Sequence, residues 1–331
     1  MSTFRSFVIK ENNGAIIKDV VLENTENLPA GDVLIKVMYS TINSYDVLFS
    51  RENTPFRNNT YPYVPGVDAA GIVVESNSTH YREGDEVLIF GSGLGQDVPG
   101  GFGQFVRVPE SWIVSLPTGL SMQDSMTLGS DGIAAAIAVM EIMAAGIQSN
   151  SKDVIVGGSS YGIGAFAVSI LSLCGYNVTA VTKYMECEDF IYELGAKKVL
   201  SLDSFVEKSG KHLLEDKYVA GIDTLGGDVL NTMIRSVKGG STIAVCGAVL
   251  SETFSASLLP LILRGINLVG IDSLRCSHSL KREALYKLAG DWYLKTLSFM
   301  CNEISIFEIN EYLDKMNNNP IKGRIVINHK L

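Results

Sequence analysis

The chain has 331 residues, enough for two domains, and its hydrophobic content of 46% and charged content of 19% are typical of a globular α/β protein. Its formal net charge of −9 argues against a general nucleic-acid-binding role, because contacts to phosphates need clustered Lys and Arg. No run of about 18 apolar residues and no signal pattern at the N-terminus is visible, so we expect no membrane segment and a cytoplasmic location.

The first part of the chain is punctuated by Gly, Pro and Asp, which indicates short strands separated by turns. Such a pattern is typical of a barrel-like all-β domain that extends to about residue 120. The strands predicted here are 4–10, 15–22, 32–40, 71–75, 84–89 and 103–108.

After Pro117 the composition changes, and 121–145 favours helices because it is rich in Ala, Met and Ile. From Val154 onward apolar strands alternate with helices, which is the pattern of a doubly wound parallel sheet. The strands predicted in this part are 154–156, 178–181, 198–200, 221–224, 241–246 and 266–270. A helix over 280–297 and a last strand over 323–327 are predicted to return to the first domain.

The five cysteines are dispersed, with no Cys-x-x-Cys pair and no histidine at the spacing of a metal site. An odd number without a framework predicts reduced, mostly buried thiols rather than disulfides. The four histidines are also dispersed, and we interpret them as surface or loop residues. No metal site is predicted.

A Gly/Ser-rich turn, 157–164, follows the apolar strand 154–156 and opens into a run of small residues. This is the layout of a dinucleotide-binding strand, turn and helix, in which backbone N–H groups at the helix N-terminus receive a pyrophosphate. The predicted cofactor-binding residues of this turn are Ser160, Tyr161, Gly162 and Ile163.

The end of the next strand indicates which nucleotide is bound. Thr182, Lys183 and Tyr184 stand where an acidic residue would hold the ribose hydroxyls of NAD. A hydroxyl and a cation suit a 2′-phosphate instead, although Glu186 and Glu188 oppose it. NADPH is therefore the predicted cofactor.

Further segments form an ordered series along the chain: 28–33, 40–43 with Asp46, 64–71, 100–103, 221–227, 261–264 with 270–273, and 321–324. In this order they resemble the medium-chain dehydrogenase/reductase superfamily, and more narrowly its bacterial acryloyl-CoA reductase and quinone oxidoreductase branch. The resemblance implies a GroES-like β-barrel catalytic domain, residues 1–122 and 275–331, and a Rossmann nucleotide-binding domain, residues 123–274. It also implies a homodimer that pairs through the strand 266–270.

In that family the Asn of the 40–43 segment and its neighbours lie beside the nicotinamide. The resemblance therefore implies Asn43, Tyr45 and Asp46 as catalytic residues and Ser44 as a cofactor contact. Relatives read Asn-Tyr-Lys-Asp here, so Ser44 and Tyr45 depart from the pattern, and Tyr45 is either a hydroxyl donor or a packed aromatic ring. Further cofactor contacts are implied at three later positions, Gly247, Asn319 and Arg324.

Two more departures fall on segments that contact the nucleotide in relatives. Relatives read Gly-Thr-Ala-Gly followed by an aromatic residue and Thr, whereas residues 129–134 of this chain read Gly-Ser-Asp-Gly-Ile-Ala. A hydroxyl is therefore lost at Ala134, and a carboxylate is gained at Asp131. Asp131 is interpreted either as a helix N-cap or as a change to the site. Tyr161 replaces a glycine of the turn, so either its ring covers the cofactor or the turn shifts and affinity falls.

Zinc-dependent members of the superfamily use an early Cys and a Gly-His-Glu element, but the matching positions here are 43–46 and 65–68 without either. The resemblance thus implies a zinc-independent enzyme, and metal-free hydride transfer suits a small electron-poor acceptor. The predicted function is NADPH-dependent reduction of an activated C=C bond or quinone. The alternatives are an acryloyl-CoA reductase proper, with Arg51, Arg57 and Arg275 near the CoA phosphates, and a catalytically silent nucleotide-binding relative.

Overall fold

The structure, a computed structural model, describes residues 2–50, 61–149, 153–318 and 322–331. The chain divides into two compact units. Unit 1 comprises Met1–Ser130, Ser277–Arg282 and Leu297–Leu331, and unit 2 comprises Asp131–Cys276 and Glu283–Thr296.

Fifteen strands run through the described residues. They are β1 (Thr3–Asn12), β2 (Ala15–Asn24), β3 (Val33–Ile42), β4 (Asp68–Ser76), β5 (Glu86–Phe90), β6 (Phe105–Val108), β7 (Ile113–Ser115), β8 (Asp153–Gly157), β9 (Val178–Thr182), β10 (Lys198–Ser201), β11 (Tyr218–Asp223), β12 (Val237–Val245), β13 (Asn267–Gly270), β14 (Cys301–Ile304) and β15 (Arg324–Asn328).

Ten α-helices accompany the strands in the same residues. They are α1 (Ser44–Phe49), α2 (Met122–Ala144), α3 (Gly162–Leu173), α4 (Glu188–Glu193), α5 (Leu202–Phe205), α6 (Gly227–Ser236), α7 (Leu259–Arg264), α8 (His278–Ala289), α9 (Leu297–Met300) and α10 (Ile309–Asn318).

Unit 1 contains a seven-stranded sheet in which β14, β15, β3, β4, β5 and β7 are neighbours in that order, and β6 also pairs with β3. The hairpin of β1 and β2 is antiparallel. The final strand β15 lies antiparallel to β3, with Ile325 opposite Ile42. The C-terminal strand therefore returns to the first domain, as the sequence predicts.

Unit 2 contains six strands in the order β10-β9-β8-β11-β12-β13, and all of the pairings are parallel. All five residues of β9 and nine residues of α3 are buried, as expected for strands covered on both faces. The sheet confirms the predicted doubly wound fold.

Two predicted segments differ from the structure. The helix predicted over 280–297 is confirmed as far as residue 289 but is wrong beyond it, because α8 ends at Ala289 and Gly290 begins a turn in which the Trp292 amide donates to the Lys287 carbonyl. The predicted domain bounds also differ from the two units: the first boundary follows Ser130 rather than residue 122, and 283–296 belongs to unit 2.

Helix α2 is the apolar helix of the described residues that is long enough to cross a membrane. Its 18-residue window has a mean hydropathy of 1.4, and 83% of that window is buried inside the structure. Core helices of globular domains share this length and composition. The sequence had indicated no such apolar run.

Candidate functional site

The sheet of unit 2 places four strand ends together. Because β8, β9, β11 and β12 are parallel neighbours, their carboxyl ends meet at one edge. The chain order reverses between β8 and β11, and open α/β sheets bind ligands in the crevice beside such a reversal. The predicted turn 157–164 follows β8 at this point.

Glycines make this turn possible. Gly158 has φ +80° and Gly162 has φ +55°, a backbone conformation that residues other than glycine rarely adopt. A β-carbon on Gly158 would collide with the Thr224 hydroxyl, and one on Gly164 would collide with the Gly158 carbonyl oxygen. The backbone therefore passes close to the start of α3, which is the geometry that a dinucleotide phosphate requires.

Tyr161 fits this turn without strain. Its backbone is extended, with φ −161° and ψ 169°, and α3 begins at the following residue, Gly162. The side chain forms no capping hydrogen bond to α3. Burial raises the pKa of Tyr161 to about 12, and the charges of Tyr184 and Asp131 add to this increase.

The other predicted residues of the turn are less accessible. Ser160 and Gly162 are buried, and Ile163 is partly buried. Neighbouring Ser159 is also buried, and its hydroxyl donates to the Val156 carbonyl at 2.9 Å. The Ser159 hydroxyl is therefore engaged within the turn, and backbone amides at the start of a helix are the groups that such a turn offers to a phosphate.

The end of β9 presents a cation. The Thr182 side chain is buried, and its hydroxyl oxygen accepts the Tyr184 amide at 2.9 Å. Lys183 is exposed, and its Nζ lies 5.7 Å from the centre of the Tyr184 ring. Thr182 thus shapes the tip of the strand, whereas Lys183 is the residue that faces solvent.

Sequence reasoning did not select the residues at the end of β11. The Thr224 hydroxyl donates to the Gly157 carbonyl at 2.9 Å, and the Asp223 carboxylate accepts the amides of Leu225 and Gly226. Burial raises the pKa of Asp223 to about 6. Gly247 follows β12 at the same edge, and a β-carbon there would lie 2.9 Å from the Thr224 carbonyl oxygen. The sequence signal that could have identified these residues is the Asp-Thr pair at the end of an apolar strand.

In unit 1 the structure brings three predicted residues together in a buried network. Arg324 Nη2 donates to Asn43 Oδ1 at 2.6 Å, and Asn43 Nδ2 donates to Asp68 Oδ2 at 3.0 Å. The Asn43 backbone amide donates to Asp46 Oδ2 at 2.8 Å. The other oxygen of Asp46 accepts the amides of Gly66 and Val67, each at 3.1 Å.

This network holds more carboxylates than its one guanidinium balances. Burial raises the pKa of Asp46 to about 7, and the nearby Asp68 carboxylate adds to this increase. Burial also raises the pKa of Asp68, although hydrogen bonds from Ser130 and the charge of Arg324 oppose the increase. These buried hydrogen bonds fix the start of α1. A direct role of Asn43, Asp46 or Arg324 at the reacting atoms stays a prediction.

Three residues of α1 are not fully buried: Ser44, Tyr45 and Leu48. Ser44 is exposed as the first residue of the helix, and Tyr45 is partly buried. The Tyr45 ring lies 6.0 Å from the Phe49 ring, measured between centroids, at an angle of 45°. Tyr45 is therefore packed against Phe49 and is also partly accessible to solvent.

Helix α2 is interrupted at Gly129, which has φ 56° and ψ −165°. The first amide after this kink belongs to Ser130 and donates to Asp68 Oδ2 at 2.6 Å. Gly129, and not Asp131, therefore stands before the second helical segment, so the N-cap interpretation of Asp131 is wrong. Asp131 lies inside the first turn, and a β-carbon on Gly162 would be 3.0 Å from its Oδ2.

Some predicted residues lie outside the described part of the chain: Asn319, Arg51 and Arg57. Arg275 is described and forms an exposed ion pair with Asp272 at 3.6 Å. Across residues 2–50, 61–149, 153–318 and 322–331, no group of three or more His, Cys, Asp or Glu side chains is placed to hold a metal ion.

Comparison with known proteins agrees with this geometry. Residues 29–118 match the alcohol dehydrogenase GroES-like domain, and residues 162–289 match the family described as zinc-binding dehydrogenase. The chain is 34% identical to "Putative quinone oxidoreductase YhfP" of Bacillus subtilis, over 99% of each chain. It is 32% identical to acrylyl-CoA reductase AcuI of Ruegeria pomeroyi, over 91% of each.

Two solved structures share the whole fold. The yhdH oxidoreductase from Salmonella enterica, in complex with NADP, superposes with a TM-score of 0.93 at 30% identity, over 98% of this chain and 99% of that one. Bacillus subtilis yhfP with NAD bound superposes with a TM-score of 0.95 at 32% identity, over 99% of this chain and 100% of that one. The chain therefore belongs to the medium-chain dehydrogenase/reductase superfamily of oxidoreductases, in the branch that contains the acrylyl-CoA reductases and YhfP-type quinone oxidoreductases.

Proposed function

We propose that this protein is an NADPH-dependent reductase of an activated C=C bond or a quinone, and that it works without a metal. The observation that carries the proposal is the turn 157–164, whose glycines allow the backbone to pass close to the N-terminus of α3 at the reversal of the sheet. The turn is of the kind that receives a dinucleotide pyrophosphate. When bound, the nicotinamide nucleotide supplies the hydride.

The preference for NADPH rests on Lys183. Its exposed ammonium follows β9, where an NAD-binding protein places an acidic residue for the ribose hydroxyls. A cation at this position pairs with a 2′-phosphate. The relatives include structures bound to NADP and to NAD, so the residue at this position is the feature of the chain that favours NADPH.

The proposal that no metal takes part is supported by the residues of unit 1. Asn43 and Asp46 stand where zinc-dependent members of the superfamily provide a cysteine-containing motif, and both side chains are engaged in buried hydrogen bonds. An electron-poor acceptor needs a hydrogen-bond donor for the charge that develops on its oxygen. The Tyr45 hydroxyl is the proposed donor, and the Asn43–Asp46 network positions the helix that carries it.

A true acryloyl-CoA reductase is the second candidate, because the AcuI enzyme of Ruegeria pomeroyi is 32% identical. Of the arginines proposed to contact the CoA phosphates, Arg275 lies in the described residues. It already forms an ion pair with Asp272, so nothing in its surroundings favours a phosphate contact. We therefore keep the general activity first and make the CoA thioester one arm of the test.

The test combines binding with turnover. The purified protein is titrated with NADPH and NADH by nucleotide fluorescence, and NADPH oxidation is then followed with a quinone, an α,β-unsaturated ketone and acryloyl-CoA. Micromolar NADPH binding with oxidation by the quinone or ketone supports the proposal. Turnover with acryloyl-CoA alone supports the second candidate. Tight binding without turnover indicates a silent nucleotide-binding relative, and no binding of either nucleotide overturns the proposal.

We also propose that the protein forms a homodimer in the cytoplasm. β13 is the terminal strand of its sheet, and α7, which precedes it, leaves Ile262 69% exposed. An edge strand beside exposed apolar side chains suits isologous pairing with a second copy. The five cysteines, all within the described residues, form no disulfide, which supports the cytoplasmic location.

Sedimentation equilibrium tests the dimer. Ile262→Glu should shift the protein to monomers, whereas Leu22→Glu, which adds the same charge at an exposed leucine of unit 1, should not. A wild-type monomer at micromolar concentration, or a dimer unaffected by Ile262→Glu, would contradict this interface.

A further inference from the structure

The N-terminus of α3 is stabilised neither by a side-chain cap nor by an acidic residue of its own first turn. The residue before the helix, Tyr161, forms no capping hydrogen bond, and the first turn of α3 contains no acidic side chain. The first amides of a helix have no partner within the helix and carry a partial positive charge. The start of α3 is therefore a position at which a negative charge from elsewhere is stabilised.

Asp131 brings such a charge from α2. Its side chain is only 4% exposed, and Oδ2 would be 3.0 Å from a β-carbon on Gly162, the first residue of α3. Tyr161 is the residue directly before Gly162, so the carboxylate also lies next to the last residue of the turn before α3 begins. A buried carboxylate thus stands against the helix end that the proposed function assigns to the pyrophosphate.

We propose that Asp131 is an internal anion at the phosphate turn that lowers the affinity of the protein for pyrophosphate-containing nucleotides. The inference rests on the proposed function, because it assumes that this turn is the nucleotide site. A carboxylate and a pyrophosphate cannot both approach the start of α3 without repulsion, and in a buried setting that repulsion is screened less than in water. The residue sets nucleotide affinity and takes no part in the hydride transfer itself.

The role differs from that of a general surface charge. Asp228 provides the comparison, because it is an acidic residue in the first turn of α6, in the same unit, and its side chain is exposed. Asp228→Asn changes the net charge of the protein by the same amount as Asp131→Asn, but it removes no carboxylate from the N-terminus of α3. Asp131 acts locally, so the two substitutions should differ in effect.

The experiment measures ligand binding to Asp131→Asn, Asp131→Ser and Asp228→Asn. The ligands are NADPH, ADP-ribose, which carries a pyrophosphate, and adenosine 2′-monophosphate, which does not. Both Asp131 variants should bind NADPH and ADP-ribose about tenfold more tightly than the wild type, from the loss of one close like charge. Binding of adenosine 2′-monophosphate should stay within about twofold, and Asp228→Asn should leave all three ligands unchanged.

Each other outcome overturns the inference. Unchanged or weaker binding of ADP-ribose by both Asp131 variants, with wild-type circular dichroism spectra, would show that the carboxylate does not oppose the pyrophosphate. An equal gain for adenosine 2′-monophosphate, or for Asp228→Asn, would show a general charge effect. If neither the wild type nor any variant binds NADPH or ADP-ribose, the proposed function fails together with this inference. If the wild type binds them and the variants show no gain, only this inference fails.

Discussion

The guanidinium of Arg324 donates to the side-chain oxygen of Asn43 at 2.6 Å, although 281 residues separate the two in the chain. The contact joins the first residue of β15 to the residue that follows β3, and both side chains are buried. Asn43 in turn donates to the carboxylates of Asp46 and Asp68. One long-range contact therefore links the C-terminal strand to the start of α1, where Tyr45 lies.

Arg324→Met should destabilise the protein by about 3–5 kcal/mol, because it leaves buried carboxylates without their cation. The matched control is Arg107→Met, which removes an arginine paired with the exposed Glu75 and should cost at most about 1 kcal/mol. Urea unfolding followed by circular dichroism gives both values. Equal losses in the two variants would contradict a special role for the buried network.

Asp46 should make the stability of the protein fall as the pH rises. Its pKa in the folded protein is about 7, above the ordinary value of 3.8, so the folded state binds its proton more tightly than the unfolded state. The contribution is complete below pH 3.8 and is lost by about pH 7, with a total of roughly 2–4 kcal/mol. Asp46→Asn should flatten this slope in urea unfolding at a series of pH values. An unchanged slope would show that Asp46 is ionised throughout.

His329 should act in the opposite direction. Burial lowers its pKa to about 4, below the ordinary value of 6.5, so the unfolded state binds the proton first. Its contribution is complete above pH 6.5 and is lost as the pH falls through 4. His329→Gln keeps a polar group near the Ser40 hydroxyl, which the ring Nε2 contacts at 3.0 Å, and should reduce the loss of stability in acid. The exposed His212→Gln serves as control and should keep the wild-type profile.

Tyr45→Phe should lower kcat for quinone or enone reduction by about 10–100-fold, since it removes the proposed donor to the developing oxyanion. NADPH binding should stay within about twofold of the wild type because the ring is retained. Stopped-flow oxidation of NADPH measures the first quantity, and fluorescence titration the second. Tyr192→Phe, at an exposed tyrosine of unit 2, is the control. Full activity of Tyr45→Phe would assign the side chain to packing against Phe49.

Lys183→Ala should weaken NADPH binding by about tenfold and leave NADH binding unchanged, because only NADPH carries the 2′-phosphate that the ammonium would pair with. The exposed Lys197→Ala removes an equal charge from the same unit and should change neither affinity. The dissociation constants of the wild type and both variants, for each nucleotide, come from fluorescence titrations at one ionic strength. Parallel losses for both nucleotides would place Lys183 elsewhere in the site.

The sequence determined the elements and their order. The β-branched run of β8, the glycines after it and the small residues of α3 indicate a strand, a turn and a helix through local preferences alone. The alternation of strands and helices after Val154 predicts the parallel sheet for the same reason. The helix predicted over 280–297 failed where a single glycine, Gly290, ended α8 inside an otherwise helical pattern.

Only the tertiary structure decided what the polar residues contact. Asp131 reads as a helix cap in the sequence, but the amide after the kink is taken by Asp68, which is 62 residues away from Ser130, and Asp131 faces Gly162 instead. Likewise nothing local indicates that Arg324 meets Asn43. Hydrogen bonds between distant residues depend on how sheets and helices pack, and burial then sets the pKa of a carboxylate such as Asp46. Local sequence encodes backbone preference, whereas desolvation and pairing exist only after the chain has folded.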